Sequence, residues 1–121
     1  MIPFCQNTGV GLIPWSPLAR GLLTRPPQAV SDRSAADKKS QLWFAESNME
    51  IVKVVEEIAK EKGVPMANIA TAWVLAKGCY PIVGLNSEAR IQQTVEALKV
   101  KLTEKDIARL DEQYRPRSVV V

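Results

Sequence analysis

The sequence predicts an α/β chain built around parallel strands. Two short apolar runs, GVGLIPWSP at Gly9–Pro17 and YPIVG at Tyr80–Gly84, are bounded by glycine and proline, as buried strands are. Four other segments repeat apolar residues at three-to-four spacing, which is the period of an amphipathic helix. The order is strand, long loop, helix, helix, strand, helix, helix. Such alternation implies parallel strands joined by right-handed crossovers.

Each element has its own local signal. In Gly9–Pro17 the apolar residues Val10, Leu12, Ile13 and Trp15 make a candidate buried strand. Leu18–Ser40 is rich in Pro, Ser, Arg and Asp and reads mostly as loop; loops of this length are often functional lids. Ser47–Lys62 is a helix: Ser47 and Glu50 form a capping box, and Ile51, Val54, Val55, Ile58 and Ala59 share one face. Lys60 and Lys62 suit its last turn, and Gly63 stops it. Pro65 suits the first position of a second helix to Lys77, with Ile69, Ala70, Trp73 and Val74 as its buried stripe and Gly78 as its stop. Asn86 or Ser87 can cap a third helix, Glu88 to about Lys99, with Ile91, Val95 and Leu98 as apolar positions. Thr103 and Asp106 open a short last helix carrying Ile107, Ala108 and Leu110, and the tail is irregular.

Composition narrows the chemistry. The 121 residues suit one domain, and the 46% hydrophobic and 24% charged content is that of a globular protein. A formal charge of +3 is too mild to predict nucleic-acid binding. The chain has no histidine, which excludes a His-based zinc site, a Ser-His-Asp triad and a Cys-His pair within it. Cys5 and Cys79 read as free thiols, with Cys79 buried beside a strand; this fits a reducing, cytoplasmic setting. No apolar run approaches the ~20 residues that span a bilayer, and the N-terminus lacks the pattern of a secretory signal. Two strands with four helices cannot cover a parallel sheet on both faces, so the chain pairs with something or is a piece of a larger fold.

Three segments, IPWSPLARGLLT at Ile13–Thr24, ANIATAWVLAKG at Ala67–Gly78 and PIVGLNSEARIQQTVEAL at Pro81–Leu98, carry a resemblance. In order and spacing they resemble the C-terminal part of the aldo-keto reductases, in the branch of aryl-alcohol dehydrogenases, fungal secondary-metabolism reductases and potassium-channel beta subunits. The resemblance runs from about Thr8 to Leu110. It implies the C-terminal portion of a (β/α)8 TIM barrel, an architecture of about 250 residues. On that template residues 9–17 are strand seven, 18–46 the cofactor loop, 47–77 helices, 80–84 strand eight, 88–113 helices and 114–121 a tail.

The resemblance also implies an NADP(H) site. Trp15 matches the aromatic that stacks on the nicotinamide; its chemistry alone favours a core tryptophan at a strand end, and the motif reverses that reading. Ser16, Pro17, Leu18, Ala19 and Arg20 match the loop along the pyrophosphate and ribose, with Gly21 at the sharp turn. Gly84, Asn86, Arg90, Gln93 and Thr94 fall on the adenosine and 2′-phosphate positions. Arg90 lies in the first turn of a helix, where a guanidinium can hold a 2′-phosphate bidentately and stack on adenine; alone it reads as a solvated helix charge. Gln93 and Thr94 stand where relatives often have Glu and Asn. Arg20, Arg25 and Arg33 are candidates to fold the loop over a pyrophosphate.

The family's catalytic tetrad of Asp, Tyr, Lys and His belongs to the N-terminal half of the barrel. Neither Tyr80 nor Tyr114 matches its tyrosine, so no catalytic residue is assigned in this chain. The expectation is a reductase sequence that starts late: part of a cofactor cradle, no proton donor, and no activity in isolation. Two alternatives stand beside it. One is a non-catalytic barrel portion that self-associates or pairs with a full-length relative; the other is a truncated product without function.

Overall fold

The computed structural model describes residues 1–27 and 46–116, with only the backbone given for Glu46 and Ser47. The helix expected to be capped by Ser47 already includes Glu46, so Ser47 lies inside it and not at its cap; Arg33, most of the expected Leu18–Ser40 loop and the end of the tail lie outside the described residues.

The centre of the molecule is a pair of helices, α2 (Glu46–Lys62) and α3 (Met66–Ala76), with α5 (Glu104–Glu112) packed on α2. α2 forms because Val52, Val55, Ile58 and Ala59 recur on one face, and all four are buried. It ends in a Schellman closure: Val64 N–H donates to Ala59 O at 3.0 Å and Gly63 N–H to Lys60 O at 3.2 Å. That closure needs a left-handed residue, and Gly63 supplies it with φ of 65°. α3 is buried nearly all round, through Ile69, Ala70, Ala72 and Val74 among others, as suits a helix between two layers. Pro65 precedes it as the N-cap, one position earlier than the sequence suggests. Its end repeats the same closure, Cys79 N–H to Val74 O and Gly78 N–H to Leu75 O. Ile58 and Ile69, both 0% exposed, meet at the heart of the core with Met66 and Leu110.

α5 is held by polar contacts as well as by Leu110. Thr103 and Asp106 form the expected capping box, with Asp106 N–H on Thr103 Oγ1 and Thr103 N–H on Asp106 Oδ2. Lys62 reaches Asp106 at 2.9 Å, and Arg109 spans Glu57 and Glu61 of α2. Burial pushes the Asp106 carboxyl upward. The Lys62 ammonium and the Thr103 N–H and hydroxyl outweigh it and hold the carboxyl below the usual carboxylate range. On the other side Trp73 Nε1 donates to Asp111, which also pairs with Lys77.

The two expected strands do not form as strands among the described residues: the segments run parallel and are joined only by isolated bridges, Leu12 to Cys79 and Trp15 to Ile82. Tyr80 N–H donates to Leu12 O at 2.8 Å and Ile82 N–H to Pro14 O at 2.9 Å. Pro14, whose carbonyl accepts from Ile82, has no N–H to return, so the ladder is interrupted there. The expectation of a buried strand at Gly9–Pro17 is corrected in its burial as well. Leu12 and Pro14 are half-buried, but Ile13 (71%) and Trp15 (70%) are exposed. Across the pair Cys79 is buried, Pro81 and Val83 are half-buried, and Tyr80 and Ile82 are exposed. This period of two covers one face and leaves an apolar face open.

Two further elements differ from expectation. Residues Ile2–Thr8 form a short helix, α1, which has no apolar period to announce it; Gly9, with φ of 74°, closes it through Val10 N–H on Cys5 O. The third expected helix is α4 (Glu88–Glu96), capped by Ser87 and followed by a tight turn at Ala97–Lys99. Its apolar positions Ile91, Val95 and Leu98 are exposed, contrary to expectation, because α4 rests on the rest of the molecule through Ala97, with Gln93 and Thr94 half-buried. Among the described residues both cysteines are free and buried, and no helix is long and apolar enough to cross a membrane.

Candidate functional site

Parallel pairing decides where a site can form. Since Leu12–Trp15 and Cys79–Ile82 run in the same direction, the residues after each leave from the same end. Those residues are Ser16–Gly21 on one segment and Gly84, Asn86 and Arg90 on the other. Ligands of parallel α/β folds gather at the carboxyl ends of strands for this reason. Trp15 stands at that end with its ring exposed, on the open face shared with Ile13, Tyr80 and Ile82.

The turn after Trp15 is unusual in its backbone. Ser16, Ala19 and Arg20 have φ of 55°, 47° and 56°, and Gly21 has 94°. Three non-glycine residues in the left-handed region each cost about 1–2 kcal/mol, and such strain persists only where the surroundings impose it. Here the surroundings do. Leu22 is buried in the helical core, and Ala19 and Leu23 pack against it, so the turn is pinned to α2 and α3. Ala19 N–H donates to Ser16 O and Gly21 N–H to Leu18 O, both at 2.9 Å. The N–H of Leu18 makes no backbone hydrogen bond among the described residues, which leaves a donor beside the turn. At Gly21 a Cβ would lie 3.1 Å from Arg25 Nη2, so the guanidinium of Arg25 rests against this glycine.

On the second segment Ser87, rather than Asn86, caps α4: its Oγ accepts from Arg90 N–H at 3.4 Å. Asn86 and Gly84 are exposed in the approach to the helix. Arg90 is exposed in the first turn, beside Glu88, whose carboxylate offsets part of the positive helix end. Thr94 does lie one turn from Arg90, and its hydroxyl donates to Arg90 O at 2.8 Å, leaving its lone pairs as the free function. Gln93 is half-buried next to it. The expected residues thus fall into two clusters at one end of the paired segments. The anchoring of the turn by Leu22 is new, and its signal was the apolar trio Leu18, Leu22 and Leu23 within a stretch read as loop. Among the described residues no group of three His, Cys, Asp or Glu side chains gathers to hold a metal.

Comparison with known proteins gives this arrangement a lineage. A Schizosaccharomyces pombe protein provisionally named an aryl-alcohol dehydrogenase is 51% identical over 119 residues, covering 96% of this chain and 34% of its own length. The versiconal hemiacetal acetate reductase of Aspergillus parasiticus is 44% identical, covering 98% of this chain and 36% of its own length. The chain therefore spans about a third of the length of the curated relatives it matches. A thermostable aldo-keto reductase solved with the inhibitor epalrestat superposes with a TM-score of 0.66 at 26% identity, over 93% of this chain and 33% of that one. The family description Aldo/keto reductase matches residues 1–115, from α1 to just past α5. The helical core, the strained turn and the capped helix after the second segment all lie inside that match, and the chain belongs to the aldo/keto reductase family.

Proposed function

We propose that these residues are the cofactor-gripping part of an NADP(H)-dependent oxidoreductase that reduces an aldehyde or ketone. In this reading Leu12–Trp15 and Cys79–Ile82 lie in strands seven and eight of a (β/α)8 barrel. The observation that carries it is the shared end of the two parallel segments. It brings the strained turn Ser16–Gly21 and the helix end bearing Arg90 to one side, next to an exposed Trp15.

The groups present fit such a cofactor. Trp15 offers a flat apolar surface to a nicotinamide ring. Leu18 N–H, with Arg20 of the same turn, suits the charge of a pyrophosphate. Asn86, Arg90, Gln93 and Thr94 suit an adenosine 2′-phosphate, with Arg90 supplying the fixed charge. NADPH, when bound, supplies hydride. This chain's part is to hold the ring against Trp15 and the phosphates against the turn, so that the face carrying the hydride is fixed. The proton for the carbonyl oxygen comes from elsewhere in this reading, since there is no histidine and neither tyrosine matches the family's donor.

The reading is tested by titrating the 121-residue chain with NADPH and NADH while following tryptophan fluorescence. Saturable quenching by NADPH, lost in Trp15→Leu and kept in Trp73→Phe, is expected. Arg90→Ala should weaken NADPH about tenfold and NADH little, as for loss of one charged contact to a phosphate. Quenching that never saturates, or that ignores Trp15 and Arg90, overturns the reading. In the same samples no aldehyde-dependent NADPH oxidation is expected from this chain alone.

The open apolar face of Ile13, Trp15, Tyr80 and Ile82 favours a second reading, a non-catalytic barrel portion that binds another copy or a full-length relative. Light scattering separates them: a monodisperse monomer at micromolar concentration removes this alternative.

A further inference from the structure

We draw no further inference here: the strongest candidate, the open apolar face of Ile13, Trp15, Tyr80 and Ile82 on the paired segments, carries nothing because nothing in the structure shows what covers it.

Discussion

The helices α2, α3 and α5 and the paired segments beside them answer the same physical demand in opposite ways. Both are rich in apolar residues. In the helical part Ile58, Ile69, Val52 and Leu110 meet one another and are buried within the chain. In the paired segments and α4, the residues Ile13, Trp15, Ile82, Ile91 and Leu98 face outward. A helix stripe can be satisfied by one neighbouring helix, whereas a parallel strand needs cover on two faces and a neighbour on each edge. Among the described residues the helical part buries its apolar stripes within the chain, and the paired segments leave one apolar face exposed.

The largest expected effect breaks the buried half. Ile58→Ala or Ile69→Ala removes a fully buried side chain and should cost about 2–5 kcal/mol, read from urea unfolding. A loss under about 1 kcal/mol would mean that the helices do not form a core of their own. The turn that links the halves comes next. Gly21→Ala puts a Cβ at φ of 94°, 3.1 Å from Arg25 Nη2. It should cost about 1–2 kcal/mol and should impair NADPH quenching more than it impairs the core.

Smaller effects sharpen the comparison. Thr103→Ala removes the cap of α5 and should cost about 1 kcal/mol in the same unfolding assay. Asp106 adds a pH signature. Its folded carboxyl is held below the ordinary range, so its contribution is present above the unfolded value near 4 and is lost as pH falls through the lower folded value. Unfolding measured from pH 6 down to pH 2 should show this decline, and Asp106→Asn should flatten it. The smallest effect belongs to the open half. Ile13→Thr and Leu98→Gln should change stability by no more than about 0.5 kcal/mol, because neither side chain is buried. Light scattering of these variants should show less association. A loss comparable with that of Ile69→Ala would mean that the open face is covered in solution.

The helices were legible because their signals are local. Thr103 with Asp106, Ser87 before α4, and Gly63 and Gly78 after their helices all act within four residues along the chain. The branch of the family was legible in the motifs at Ile13–Thr24 and Pro81–Leu98. Less legible were α1, which is brief and nearly all exposed, and the exposure of Ile91, Val95 and Leu98, since an apolar period marks a face without saying what meets it. The left-handed conformation of Ser16, Ala19 and Arg20 was equally hidden. None of these residue types favours that region; the buried Leu22 and its neighbours hold the turn there.

By itself, the sequence determined four of the helices to within a few residues, the free cysteines, the lack of histidine chemistry and the kinship with the aldo/keto reductases. All of these depend on residue identity and short-range spacing. Only the tertiary structure decided that the parallel pairing of the two apolar runs is reduced to isolated bridges. It alone decided that one face of them stays open and that the turn after Trp15 is strained and anchored. Those features arise where segments far apart in the chain meet, and the free energy of such meetings depends on which surfaces are brought together.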